Sequence, residues 1–177
     1  MTIYLIHNPA SGSAAQADLV RGWALSLEHV RRLETEGPGH ARDLARAAAD
    51  RGDRLVVAGG DGTVHEVVNG MLESERRDSV LALLPLGTGN DLARGLGIPL
   101  DVEAALPIAS RGAGLPLDVL RATLDGAVRH AVNALTGGFS GRAAEAGAQA
   151  KERWGPLAYA RGAVEVLAAR TWPTGWS

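Results

Sequence analysis

In the first part of the chain, apolar positions fall into short β-rich runs separated by segments of helical period. Strand candidates are Thr2 to Ile6, Leu27 to Leu33, Arg54 to Ala58 and Val80 to Leu84, with helices at Ala14 to Ala24, His40 to Arg51 and Val64 to Leu72 between them. This βαβαβαβ series predicts an α/β fold: a parallel sheet with helices on both faces and right-handed crossovers. Gly37-Pro38-Gly39 and Gly52-Asp53 punctuate it as loops.

Beyond Leu96 the pattern changes. Ile98-Pro99 breaks the chain, and Asp101 to Leu106 reads as a short helix capped by Asp101. Leu115 to Leu124 and Ala127 to Leu135 flank Asp125-Gly126, a pair suited to a two-residue hairpin turn. The parallel lobe therefore gives way to antiparallel β structure, the start of a second lobe. The expected boundary lies near Gly112 to Gly114, dividing a first domain, 1–112, from a partial β-rich lobe, 113–177, in which Ser140 to Arg153 and Pro156 to Ala169 look helical.

Composition narrows the class. The 177 residues are 46% hydrophobic and 21% charged, enough for one good core in a globular chain. A net charge of -2, with no basic cluster, gives no electrostatic footprint for nucleic acid. Lys151 is the only lysine, and the absence of cysteine excludes disulfides, thiolate metal sites and a cysteine nucleophile. No apolar run has the length of a signal peptide or a membrane span, so the expected location is the cytoplasm.

Candidate chemistry gathers in three glycine-bearing turns, each at the carboxyl end of a predicted strand. Gly59-Gly60-Asp61-Gly62-Thr63 joins a β-rich run to a helix. Glycines there let amide N–H groups approach phosphate oxygens, Asp61 can hold Mg²⁺ or accept a proton, and Thr63 can reach a phosphate or cap the helix. Glu66 follows Thr63 at capping-box spacing, so it reads equally as a cap partner or as a nucleotide or network contact. In the second turn Gly87, Thr88 and Gly89 offer another backbone cradle, beside Asn90 and Asp91. Asp91 also reads as the N-cap of a short helical turn through Arg94. The third turn, Asn8-Pro9-Ala10-Ser11-Gly12-Ser13, consists of turn formers that can also meet a ligand. If the strands are parallel neighbours, all three turns share the rim where open α/β sheets bind ligands.

Asn8 to Gly12, Gly59 to Gly70 and Leu86 to Arg94, in this order and spacing, resemble the three signatures of the diacylglycerol kinase catalytic domain. NAD kinases and 6-phosphofructokinases share only the Gly-Gly-Asp-Gly turn, which leaves an NAD kinase-like activity as the rival enzyme reading. The resemblance implies a nucleotide-binding lobe paired with a β-sandwich lobe, ATP and Mg²⁺ as cofactors, and transfer of the γ-phosphoryl group to a lipid hydroxyl. It implies peripheral contact with a membrane surface.

Carried over residue by residue, the resemblance places Asn8, Ser11 and Gly12 near the phosphates and gives Thr35, in the second-strand loop, a nucleotide contact. Gly59, Gly60, Asp61, Gly62, Thr63, His65 and Glu66 wrap the nucleotide, with Asp61 catalytic, and Gly87, Thr88 and Asn90 complete the rim. Asp91 and Asp118 are the implied metal ligands, Arg94 pairs with an acidic group or a phosphate, and Lys151 and Arg161 flank a further stretch resembling family members. Family members are longer and carry a late acidic residue proposed as the base. No position here matches it, so the expectation is a C-terminally truncated chain, kinase-like or a nucleotide-binding remnant, whose uncovered sheet edges favour self-association.

Overall fold

The computed structural model describes residues 2–52, 54–76, 78–124 and 127–132. The Asp125-Gly126 turn, the end of its second arm, the expected later helices, Lys151 and Arg161 lie outside these residues. The described elements fall in one compact unit, Met1–Asn133.

Four strands, β1 (Ile3–His7), β2 (Val30–Glu34), β3 (Arg54–Gly59) and β4 (Val80–Pro85), form an all-parallel sheet in the order β2-β1-β3-β4. Registers such as Ile3↔Val30, Ile3↔Arg54 and Arg54↔Val80 align the strands so that their carboxyl ends share one rim. Every residue of β3 is buried, which explains the apolar run from Leu55 to Ala58, because a central parallel strand is covered on both faces. At one edge β2 reads Val-Arg-Arg-Leu-Glu, charges that discourage a further strand from adding there.

Side-chain alternation divides the core into two layers. Ile6, Leu55, Val57 and Leu83 pack against α2 (His40–Ala49), α3 (Asp61–Glu73) and α4 (Asp91–Gly95). Ile3, Leu5, Val56, Ala58, Ala82 and Leu84 face α1 (Ala14–Leu25) and α5 (Val102–Arg111). The expectation of helices on both faces is met. Trp23 Nε1 donates to Ser110 Oγ at 2.9 Å, joining α1 to α5. Between α2 and α3 the approach is closer, since a Cβ on Gly70 would stand 2.1 Å from the Arg42 carbonyl oxygen.

Several boundaries differ from the sequence pattern. β2 begins at Val30 rather than Leu27, because Leu27 is spent in a turn, its carbonyl accepting from Val30 N–H at 3.2 Å. α2 ends at Ala49, where the carbonyl of Ala48 takes both Arg51 N–H and Gly52 N–H. α5 runs through Pro107 to Arg111. Proline removes only the bond to the Glu103 carbonyl on the exposed side, while Ala105 and Ala109 stay buried. Asp101 does cap this helix, accepting from Ala104 N–H at 2.9 Å.

Beyond α5, β5 (Leu120–Leu124) and β6 (Ala127–Ala131) pair antiparallel from Leu124↔Ala127 outward, giving the expected hairpin with a shorter first arm. Among the described residues no helix is long and apolar enough to cross a membrane.

Candidate functional site

The strand order sends the chain from β1 to β2 on one side and to β3 on the other, so the carboxyl ends of β1 and β3 flank a topological switch point. Asn8 follows β1 at this point. Its Nδ2 donates to Thr63 Oγ1 at 3.0 Å, its Oδ1 accepts from Ala10 N–H at 3.0 Å, and its backbone N–H reaches the Ala58 carbonyl at 2.9 Å. Asn8 therefore braces the rim by joining the Asn8–Ser13 turn to α3. Gly12 has φ 81, and a Cβ there would approach Leu86 Cβ to 3.2 Å, so the Asn8–Ser13 turn also meets the residue that leads into the Gly87 turn.

α3 begins at Asp61, three residues before the expected Val64, with Gly60 as its N-cap. Its first intrahelical bond is Val64 N–H to the Gly60 carbonyl at 3.0 Å. The amides of Asp61, Gly62 and Thr63 precede that bond and point out of the helix end, where its dipole favours an anion. Gly62 is exposed, and a Cβ there would meet nothing within 4 Å. The other glycines are closed by neighbours: a Cβ on Gly59 would strike Thr63 at 2.7 Å, and one on Gly87 would lie 2.6 Å from Gly60 Cα. Three outward amides beside an open glycine fit phosphate oxygens.

Asp61 stands in the first turn of α3, yet its carboxylate serves α4. Oδ2 accepts from Asn90 N–H at 2.8 Å and Oδ1 from Asp91 N–H at 2.7 Å. Asn90 caps α4 with φ 54, a left-handed conformation tolerated better by asparagine than by most residues. The Asn90 side chain is consumed by the backbone of one residue, its Oδ1 accepting from Gly87 N–H at 3.0 Å and its Nδ2 donating to the Gly87 carbonyl at 2.7 Å. Arg94 Nε closes the turn on the Gly89 carbonyl at 2.8 Å. A small cavity of about 10 Å³ behind these turns is lined by Gly60, Asp61 and Asn90 among others, which marks tight packing beneath the rim. The larger groove, about 830 Å³, lies between α1 and α5 and includes none of the rim residues.

Two capping expectations are corrected. Thr63 is buried inside α3 and accepts from Asn8, so it neither caps the helix nor forms a box with Glu66. Glu66 Oε1 instead accepts from Gly39 N–H at 2.9 Å, fastening α3 to the start of α2. Asp91 is the first residue of α4 rather than its cap, and its exposed side chain is free of that duty. Thr35 is buried beside β1, its N–H donating to the His7 carbonyl at 2.9 Å. Thr88 and His65 are exposed, and Ser11 is half-buried with its N–H on the Asn8 carbonyl.

The structure thus brings Asn8, Gly12, Gly59, Gly60, Asp61, Thr63, Gly87, Asn90 and Asp91 together. Asp118 is exposed on the segment leading to β5, and among the described residues no group of three or more His, Asp or Glu gathers to hold a metal. Sequence reasoning passed over His7. Its imidazole is buried at the end of β1 with Nε2 unpartnered and Nδ1 3.8 Å from Glu34. Burial lowers its pKa, against the opposing pull of the Glu34 carboxylate. The available signal was a polar residue closing an apolar strand.

An open parallel sheet carrying a helix N-terminus and two interlocked glycine turns at its switch point defines a phosphate-site α/β domain. The family model of the diacylglycerol kinase catalytic domain matches residues 2–122, and the chain belongs to that family. It is 36% identical over 109 residues to a diacylglycerol kinase of Staphylococcus saprophyticus, covering 59% of this chain and 35% of the relative. To a "Probable lipid kinase YegS-like" of Shewanella frigidimarina it is 34% identical over 131 residues, covering 72% and 41%. A crystal structure of a diacylglycerol kinase from Bacillus anthracis matches with TM-score 0.63 at 30% identity, over 73% of this chain and 45% of that one. The chain therefore spans less than half the length of these relatives.

Proposed function

We propose that this chain supplies the nucleotide-binding lobe of an ATP-dependent lipid kinase. The observation that carries this reading is the outward row of amides at Asp61, Gly62 and Thr63 on a rim held by Asn8 and Asn90. In the reaction, the oxygen of a diacylglycerol-like hydroxyl bonds to the γ-phosphorus of ATP, the bond to the bridging oxygen of ADP breaks, and the hydroxyl proton passes to a carboxylate. Mg²⁺ bound with the nucleotide supplies charge neutralisation on the phosphates. Asp61 and Asp91 are the rim carboxylates for proton and metal chemistry, with Asp118 contributed from the start of the second lobe. A lipid acceptor resides in a bilayer, so the enzyme works at a membrane surface.

MgADP tests the site directly. At a hundredfold excess over its Kd, a ligand of the native state stabilises it by about 2.7 kcal/mol, read as a rise in Tm. Gly62→Leu places a helix-favouring side chain in open space, so the unliganded protein should stay at least as stable while the rise disappears. A folded parent whose melting ignores millimolar MgADP would overturn the reading.

A second reading is nucleotide binding without transfer. It is favoured by the engagement of both Asp61 oxygens by backbone amides, which ties that carboxylate to α4 instead of leaving it open to an acceptor hydroxyl. Labelled ATP with diacylglycerol in mixed micelles separates the two, since phosphatidic acid appears only under the first.

A further inference from the structure

Asn69 lies in the same helix as Asp61, eight residues further on, which is about 12 Å along the axis. It is buried at 8% exposure, and its side chain reaches across to the antiparallel hairpin. Nδ2 donates to the His130 carbonyl at 3.2 Å while Oδ1 accepts from His130 N–H at 3.2 Å. Nδ2 also returns to the His65 carbonyl at 2.9 Å, which fixes the side chain against its own helix.

His130 belongs to β6, opposite Arg121 of β5. In an antiparallel pair, alternate residues turn their N–H and C=O away from the partner strand. Asn69 receives both groups of His130, so these face the open edge, and the carboxamide supplies the donor and acceptor that a paired residue of a neighbouring strand would supply. Only a side chain with a donor and an acceptor on one planar group can do this; leucine offers neither and aspartate only the acceptor. The direction of Asn69 is in turn set by its neighbour. Gly70 packs on the Arg42 carbonyl, and Arg42 forms a two-pronged ion pair with Glu73, so both contacts resist rotation of α3 about its axis.

We infer that Asn69 is a positioning residue that sets the first strands of the second lobe relative to the phosphate turn. One helix carries the candidate phosphate site at its first turn and the strand-edge latch two turns later. The inference rests on the reading of that turn as a nucleotide site and of β5 and β6 as the start of the lipid-facing lobe. Among the candidate nucleotide residues Asn69 bonds only the backbone carbonyl of His65, and none of its hydrogen bonds reaches the Gly59–Thr63 or Gly87–Asp91 turns.

The unaltered 177-residue chain provides the first test. Val128 N–H faces the same open edge as His130 N–H, and among the described residues nothing accepts it. By amide hydrogen exchange His130 should be slower by roughly tenfold or more, and equal rates would overturn the proposal. A spin-label pair is straightforward because the chain has no cysteine. Labels at Ala47→Cys on α2 and Thr123→Cys on β5, both exposed, should give one narrow distance distribution that broadens in Asn69→Leu and broadens less in Asn69→Asp. An unchanged distribution in a folded variant would also sink it. Affinity for MgADP should stay within about threefold of the parent in both variants. If the parent itself binds no MgADP, the nucleotide reading fails while the exchange and spin-label results still decide the role of Asn69.

Discussion

Gly60 and Gly87 meet backbone to backbone: a Cβ built on Gly87 would stand 2.6 Å from Gly60 Cα and 2.8 Å from Asn90 Oδ1. One neighbour is backbone and the other a side chain pinned by two hydrogen bonds, so the two turns fit only while residue 87 lacks a side chain, whereas a Cβ on Gly60 would stand 3.1 Å from Gly87 Cα. Gly87→Ala should cost about 1–3 kcal/mol through forced displacement. It should also abolish the MgADP-dependent rise in Tm, because the rim would no longer close. Urea unfolding with and without nucleotide measures both effects, and a variant as stable as the parent would show that the turns have room to separate.

Asp61→Asn separates charge from shape. The amide keeps one oxygen, but its NH₂ now faces either Asn90 N–H or Asp91 N–H, leaving one donor unpaired and removing a charge-assisted bond. A loss of about 1–3 kcal/mol follows, together with loss of any phosphoryl transfer. Equilibrium unfolding and transfer from labelled ATP check the two outcomes. Full stability with turnover abolished would make Asp61 purely chemical.

Gly70→Ala sets two effects of opposite sign against each other. Alanine favours a helix over glycine by about 1 kcal/mol. Against this, a methyl 2.1 Å from the Arg42 carbonyl oxygen must push α2 and α3 apart. Overpacking against backbone costs about 1–3 kcal/mol, and the Arg42–Glu73 pair, being exposed, adds under about 1 kcal/mol to resist it. The net expectation is destabilisation, read as a lower urea midpoint.

His7 gives stability a pH dependence near neutrality. Its folded pKa is lowered from 6.5, chiefly by burial, so below that value the unfolded chain takes up a proton that the folded chain refuses. Stability from His7 is therefore complete above about pH 6.5 and falls as the pH drops towards the lowered folded value. Glu73 and Asp50, both held below their ordinary 4.5 and 3.8 by hydrogen bonds from Arg42 and Ser74, act in the same direction at lower pH. His7→Phe should flatten the fall in urea midpoint between about pH 7.5 and 5.5. An identical slope in the variant would assign that region to other groups.

Strand positions and the order of layers were legible because burial imposes its own periods. Arg54 to Ala58 could be read as a strand from apolar content alone, and the rim followed from the parallel order. The side-chain roles were harder, since each depends on a partner far away in sequence. Thr63 and Glu66 have the spacing of a capping box, but Asn8 and Gly39 claim them across the fold. Asp61 reads as a free carboxylate until Asn90 and Asp91 are placed beside it. Asn90 adopts φ 54, which no spacing announces. Asn69, inside the signature run from Gly59 to Gly70, looks like a member of the glycine turn's helix and works on β6 instead.

The bond from Asn8 to Thr63 joins positions 55 apart in sequence, and Asp61 reaches Asn90 across another 29. Contacts of such separation require the loops between them to be closed at an entropic cost. No short peptide bearing the Gly59–Thr63 turn can hold its geometry, because the brace comes from β1 and the latch from α4. The turn is thus a property of the assembled sheet, and under the proposed function nucleotide capture would report on whether the whole parallel lobe has folded.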